Sequence, residues 1–129
     1  MTRRMLRAKV HRIAVTEREV EYEGSLTLDV DLMRAGDFKP YEAIDVYDVT
    51  NGQRFSTYLI EGPAGSGACC VNGAAARLVE KGDRLILASF CQVDESQVND
   101  WRPTLVVIGE GNAIREVKQD EGAGVRVPS

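Results

Sequence analysis

The stretch IDVYDVTNGQRFSTYLI, residues 44–60, places an Asn51-Gly52 dipeptide between two segments rich in β-branched and aromatic residues. Asn-Gly is a strong signal for a tight β-hairpin, because both residues tolerate the positive φ angles of a type I′ turn. The stretch therefore predicts a strand around residues 44–46, a turn, and a returning strand over residues 53–60.

The N-terminal segment carries a similar alternating pattern. Leu6, Ala8 and Val10 alternate with polar residues, which is typical of a half-buried strand. The apolar positions shift by one residue at Ile13, and this change of phase predicts a β-bulge near Arg12.

The rest of the chain reads as short strands separated by turns, which is typical of a small β-barrel or a β-sandwich. The apolar pattern predicts strands over residues 26–30, 68–71, 84–90, 104–108 and 113–117. Short helical segments are expected near residues 33–36, 72–78 and 94–100. Residues 1–117 are expected to form one domain, and the polar segment 118–129 a disordered tail.

Length and charge limit the classes of function. A chain of 129 residues is long enough for one domain, and a net charge of −4 argues against a nucleic-acid-binding protein. No segment approaches the roughly 20 apolar residues of a membrane helix, and no apolar segment follows the basic start at Arg3 and Arg4. We therefore expect a cytoplasmic protein without membrane or nucleic-acid partners.

The three cysteines, Cys69, Cys70 and Cys91, are an odd number with two members adjacent. This is a poor disulfide framework. Their spacing, with His11 far away in sequence, does not suit a metal site. We expect no metal and take the three thiols as buried or bystander groups.

A few polar residues could bind a small anion. Lys9 and His11 share one face of their strand, and Arg54 and Tyr58 share one face of theirs, with Thr57 on the other. Two cations converging from two strands would suit a dianion, although most such residues are simply solvated. The small residues after Asn72 could expose backbone N–H groups to an anion or form an ordinary helix cap. The residues by themselves do not choose a function.

The segment Tyr22-Glu23-Gly24-Ser25, with Lys9-Val10-His11-Arg12 before it, resembles the bacterial aspartate 1-decarboxylase family, the pyruvoyl enzymes of pantothenate synthesis. The resemblance runs in order from Arg3 to about Asn112. Its other motifs are Glu42-Ala43-Ile44-Asp45-Val46, Val49-Thr50-Asn51-Gly52, Arg54-Phe55-Ser56-Thr57-Tyr58, Val71-Asn72-Gly73-Ala74-Ala75-Ala76, Gly82-Asp83, Ala88-Ser89-Phe90 and Trp101-Arg102-Pro103.

The resemblance implies a mainly β fold, a six-stranded double-psi β-barrel with short helices, assembled as a homotetramer with active sites between subunits. It also implies self-cleavage between Gly24 and Ser25 into chains 1–24 and 25–129. The Ser25 hydroxyl would attack the Gly24 carbonyl with help from Thr57, and Ser25 would then become a covalent pyruvoyl cofactor.

In the mature enzyme, the resemblance implies that L-aspartate forms a Schiff base with the pyruvoyl group and loses CO₂ to give β-alanine. Tyr58 would return a proton to the substrate. The residues expected to bind substrate are Lys9, Arg54, Thr57, Asn72, Gly73, Ala74 and Ala75. His11, Tyr22 and Glu23 would shape the turn around the cleaved bond.

Two alternatives stay open from the sequence. One is a double-psi barrel that only binds proteins or nucleic acid, and the other is a pyruvoyl enzyme for glutamate or another amino acid. The cation that binds each carboxylate and the need for a maturation factor are also open. One departure from the family pattern is Tyr47, where tryptophan is expected in many relatives.

Overall fold

The computed structural model describes residues 1–120, which are dominated by β-strands. The described residues contain nine strands: β1 Thr2–Ala14, β2 Glu17–Glu19, β3 Ser25–Asp29, β4 Ala43–Asp48, β5 Arg54–Gly62, β6 Cys69–Asn72, β7 Arg84–Asp94, β8 Thr104–Ile108 and β9 Ile114–Lys118. One α-helix, α1 Val30–Ala35, and three 3₁₀-helices, Gly73–Leu78, Glu95–Asp100 and Glu110–Asn112, connect them.

The strands form one hydrogen-bonded order, β2-β6-β3-β5-β4-β7-β1-β8-β9. Six strands lie between β2 at one end and the β8–β9 pair at the other. Thr16, just after β1, donates from its backbone N–H to the carbonyl of Cys69 in β6 at 2.9 Å, which brings the two ends of these six together. The predicted fold class, a mainly β double-psi barrel with short helices, is confirmed, and β2, β8 and β9 extend the sheet beyond the six strands.

The hairpin predicted from Asn51-Gly52 is confirmed, since β4 and β5 pair antiparallel and Gly52 has a φ of 82°. Asp48 holds the turn by accepting hydrogen bonds from the backbone N–H groups of Thr50 at 2.9 Å and Asn51 at 3.2 Å. A short polar side chain that bonds to the backbone two residues ahead is a common way to fix such a turn.

The bulge predicted near Arg12 is also confirmed. The pairing of β1 with β7 shifts between His11 and Ile13, and Arg12 has a φ of 69°. A second shift lies at Arg7, which the sequence pattern did not predict. The two bulges interrupt the regular pairing of β1 with β7, as extra residues in one strand of a ladder do.

The core lies between the strands and is lined by buried aliphatic side chains of β1, β3, β5, β6 and β7, including Val10, Leu26, Leu59, Val71 and Leu87. Because successive strand residues point to opposite faces, the residues beside them, such as Ser25 and Tyr58, reach a different surface. The core therefore fixes the strands whose alternate positions carry the candidate site.

A polar clamp holds the loop that leads into β6. The Asp29 carboxylate accepts hydrogen bonds from the N–H groups of Gly65 at 3.1 Å and Gly67 at 2.8 Å, and it also caps α1 through Asp31 N–H at 2.8 Å. The predicted loop at 62–67 is thereby tied to the end of β3, which aligns β6 beside it.

Strand β9 ends at Lys118, one residue beyond the predicted domain boundary at 117. The predicted disordered tail from 121 onward lies outside the described residues. Within residues 1–120, no helix is long and apolar enough to cross a membrane.

Candidate functional site

Ser25, the first residue of β3, lies opposite Asn72, the last residue of β6, in an antiparallel pair. Both are buried, with 4% and 2% of their surface exposed. The Asn72 side-chain N–H₂ group donates to Oγ of Ser25 at 3.0 Å and to Oγ1 of Thr27 at 3.1 Å. Because buried polar groups are costly without partners, these bonds fix the serine hydroxyl inside the barrel wall.

Cys70 completes this polar cluster from the same face of β6. Its Sγ donates to Oδ1 of Asn72 at 3.2 Å. Burial, followed by the nearby carboxylates of Glu19 and Glu17, raises the pKa of the Cys70 thiol. The thiol therefore keeps its proton at neutral pH and can act as the donor. The sequence analysis, which took the three thiols as buried or bystander groups, did not predict this contact of Cys70 with Asn72.

Gly73 packs against Gly24 so closely that Gly73 has no room for a side chain. A Cβ added to Gly73 would lie 2.6 Å from Cα and 2.8 Å from N of Gly24, and Gly73 has a φ of +79°. A Cβ on Gly24, by contrast, would meet no atom within 4 Å. The start of the 3₁₀-helix at Gly73 thus lies directly against the residue before Ser25.

Tyr58 and Ser25 line one cleft of about 440 Å³. The parallel pairing of β3 with β5 matches Leu26 to Leu59, which brings the preceding residue of each strand to the same end. The other lining residues are Tyr22, Glu23, Thr27, Tyr41, Ile60 and Asn72. A partly exposed phenol, a buried hydroxyl and an amide donor in one cleft can support acyl and proton transfer.

Lys9 and Arg54 do not line this cleft. Cross-strand pairs connect Lys9 to Ala88, Ala88 to Asp45 and Asp45 to Ser56. This row therefore runs across one face of the sheet. The neighbouring row in the same pairings consists of His11, Ile86, Tyr47 and Arg54.

The Arg54 guanidinium stacks 4.2 Å from the centre of the Tyr47 ring. Arg54 lies four residues from Tyr58 along β5, or roughly 13 Å at the usual rise per residue. Within one chain the structure therefore separates the two predicted substrate cations, Lys9 and Arg54, from the cleft that contains Ser25.

Of the remaining predicted residues, some line the cleft and others lie outside it. Thr57 is half-buried on the face of β5 opposite Tyr58 and does not line the cleft. Tyr22 and Glu23 line it, whereas His11 lies with Lys9 on β1. Ala74 is exposed and Ala75 is partly buried, both in the 3₁₀-helix that begins at Gly73.

The helix-cap interpretation of Asn72 is wrong. The side chain makes no capping hydrogen bond to the 3₁₀-helix, because its Oδ1, the atom that would accept a helix N–H, accepts the Cys70 thiol instead. Sequence reasoning also missed Thr27, Tyr41 and Cys70. The spacing of Thr27 from Ser25 and of Cys70 from Asn72, two residues on a strand, was an available signal that they share a face. Tyr41 lies in a loop, and no local pattern indicates its position.

Within residues 1–120, no group of three or more histidine, cysteine, aspartate or glutamate side chains is arranged to hold a metal ion. The candidate site is therefore described by its hydroxyl, phenol, amide and thiol groups.

Comparison with known proteins identifies the family. The model of the family described as aspartate decarboxylase matches residues 1–115. The chain is 48% identical over 118 residues to the aspartate 1-decarboxylase of Ralstonia nicotianae, covering 92% of this chain and 98% of the relative. It is 50% identical over 115 residues to that of Syntrophus aciditrophicus, covering 89% and 99%. It is 52% identical over 112 residues to that of Syntrophobacter fumaroxidans, covering 87% and 90%. The resemblance inferred from the sequence is confirmed, and the chain belongs to the aspartate decarboxylase family.

Proposed function

We propose that this chain is a pyruvoyl-dependent enzyme that decarboxylates L-aspartate to β-alanine and CO₂ for pantothenate synthesis in the cytoplasm. The observation that supports this most strongly is the buried Ser25 hydroxyl, which accepts a hydrogen bond from Asn72 and shares a cleft with Tyr58. Family membership supports aspartate as the substrate, because its relatives are named aspartate 1-decarboxylases.

Maturation begins at the Gly24–Ser25 bond. Oγ of Ser25 attacks the Gly24 carbonyl carbon, the hydroxyl proton is transferred to the Ser25 nitrogen as the C–N bond breaks, and an ester joins the two residues. Elimination then releases the Gly24 carboxylate and leaves dehydroalanine at position 25, which takes up water and loses ammonia to give the pyruvoyl group. The N–H₂ group of Asn72, 3.0 Å from Oγ, stabilises the negative charge on Oγ as its proton leaves, and that charge passes to the Gly24 carbonyl oxygen as the new C–O bond forms.

The residues around position 25 fit a pyruvoyl group. Its carbon skeleton is that of Ser25, which lies buried beside the donor N–H₂ group of Asn72 in the same cleft as Tyr58. When formed, the group supplies a carbonyl that withdraws electrons from the substrate α-carbon as CO₂ leaves. Asn72 would hold this group, and the Tyr58 hydroxyl would return a proton to that carbon.

Binding of the two substrate carboxylates requires cations, and Lys9 and Arg54 do not line the cleft that contains Ser25 in the same chain. We infer that the active site forms between subunits of a homotetramer, in which one subunit supplies the cleft and its neighbour supplies Lys9 and Arg54. Arg54 suits a carboxylate through its planar pair of donors. The exposed rings of Tyr22 and Tyr41 beside the cleft, 65% and 77% exposed, provide apolar surface for that contact.

The test is product formation by the purified protein. With L-aspartate we expect β-alanine and CO₂, and a Ser25→Ala variant should release neither. Glutamate supplied in competition separates the two substrates. Preferential glutamate turnover would replace aspartate as the substrate, and no turnover of any amino acid by fully processed protein would contradict the proposal.

A further inference from the structure

A line of side-chain hydrogen bonds connects Cys70 to Ser25 through Asn72. We propose that Cys70 and Thr27 are positioning residues for self-cleavage, which hold the Asn72 carboxamide with its N–H₂ group directed at Oγ of Ser25. The inference rests on the proposed cleavage at Gly24–Ser25 and assigns to it two residues outside the predicted site.

The Asn72 carboxamide could occupy this place in two orientations related by a half-turn of its end group. The Ser25 and Thr27 hydroxyls can each donate or accept, so they are compatible with both orientations. The Cys70 thiol donates S–H to Oδ1 at 3.2 Å in the observed orientation. Reversal would break this bond and place the N–H₂ group against sulfur, which is a weak acceptor as well as a weak donor.

Because Asn72 is buried, reversing the orientation of its carboxamide is energetically unfavourable. Asn72 is 2% exposed, so an amide hydrogen or oxygen that lost its partner would not gain water in exchange. Thr27 accepts the second amide hydrogen at 3.1 Å. Thr27 and Cys70 thus engage the amide group from both ends and leave one N–H directed at Ser25.

The orientation matters for the chemistry at Oγ. With N–H₂ toward Ser25, the serine oxygen accepts a hydrogen bond, and its own proton is left free for transfer through water to the departing Ser25 nitrogen. In the reversed orientation the Ser25 hydroxyl would donate to Oδ1, a carboxamide oxygen too weakly basic to take the proton, and the hydrogen would be held away from the Ser25 nitrogen. Fixing the amide therefore favours the first step of cleavage through preorganised electrostatics.

The experiment compares first-order self-cleavage rates of the full-length chain, made by cell-free synthesis and followed by intact mass under denaturing conditions. Cys70→Ala removes the donor, and Cys70→Ser keeps a donor on a side chain of similar small size. We expect C70A to cleave about three- to tenfold more slowly than C70S, the effect of losing one neutral hydrogen bond. Thr27→Val removes the acceptor with little change in shape and should also slow cleavage.

Cys91→Ala is the matched control, because it removes a thiol on β7 away from the cluster and should cleave at the wild-type rate. Thermal unfolding of each variant checks that the chain is folded. If C70A and T27V both cleaved at the wild-type rate, or if C70A cleaved as fast as C70S, the positioning role would be overturned. A wild-type chain that stays whole would overturn the self-cleavage itself and this inference with it.

Discussion

Gly73 lies so close to Gly24 that a Cβ on Gly73 would be 2.6 Å from the Gly24 Cα. The start of the 3₁₀-helix and the residue before Ser25 are therefore packed backbone to backbone. We predict that Gly73→Ala displaces Gly24 and slows self-cleavage, as well as destabilising the fold. Intact mass and chemical denaturation measure the two effects separately.

Gly65 is the control for this substitution. It has a similar φ, +77°, but a Cβ there would meet no atom within 4 Å. Gly65→Ala should cost only the strain of the left-handed backbone, about 1–2 kcal/mol, and should leave cleavage intact. Equal losses of stability and unchanged cleavage in both variants would show that the contact with Gly24 is unimportant.

Tyr58→Phe is predicted to separate maturation from catalysis. The variant should still cleave at Gly24–Ser25, because Ser25 is held by Asn72 and not by the phenol. Its rate of β-alanine formation should fall by about 10²–10⁴-fold, the usual contribution of a positioned proton donor. A processed Y58F enzyme with the wild-type rate would remove Tyr58 from the mechanism.

Sharing of the active site between subunits predicts complementation. Arg54→Ala should mature but bind aspartate poorly, and Ser25→Ala should keep Arg54 but lack the pyruvoyl group. Co-expression should form mixed tetramers in which some clefts meet an intact Arg54, restoring roughly a quarter of wild-type activity if subunits mix at random. Activity no higher than that of R54A alone would mean that each chain supplies its own cation.

The neighbouring buried carboxyl groups of Asp48 and Asp83 should make the stability of the fold depend on pH in an unusual way. Both are buried, and burial together with the neighbouring Asp83 carboxyl raises the pKa of Asp48 to about 6. Since this folded-state pKa lies above the ordinary value of 3.8, the protonated form favours folding. The contribution is fully present below about pH 4 and is lost as the pH rises through 6.

Asp48→Asn should therefore be more stable than the wild type above pH 6 by on the order of 2 kcal/mol, and similar to it near pH 4. The amide keeps an oxygen for the N–H groups of Thr50 and Asn51, which now bond to Oδ1. Denaturant titrations at the two pH values measure the difference. The exposed Asp37→Asn variant should show no such gain, and a D48N curve parallel to the wild type would contradict the buried proton.

Much of the fold could be predicted from local sequence patterns. The Asn51-Gly52 turn and the change of phase at Ile13 are encoded within a few residues, so the hairpin and the Arg12 bulge were predictable. The shift at Arg7 was not, because the Arg7 side chain is held by distant groups. It pairs with Glu42 at 2.9 Å and donates to the Gly36 carbonyl at 3.0 Å.

The candidate site was predictable only in part for a similar reason. The motif at Gly24-Ser25 and the position of Tyr58 follow from the family resemblance, and the structure brings Ser25, Tyr58 and Asn72 into one cleft. The hydrogen bond from Cys70 to Asn72 could not be predicted, because it depends on the Asn72 side chain not capping the helix that follows it. The separation of Lys9 and Arg54 from Ser25 depends on the strand order, which periodicity does not reveal.

Intact mass of the purified wild-type protein under denaturing conditions tests self-cleavage at Gly24–Ser25 directly. We predict two chains, residues 1–24 and residues 25–129, with the larger lighter than a chain beginning in free serine by one ammonia. A single full-length mass that persists after prolonged incubation, including incubation with a lysate that could supply a maturation factor, would contradict the pyruvoyl mechanism.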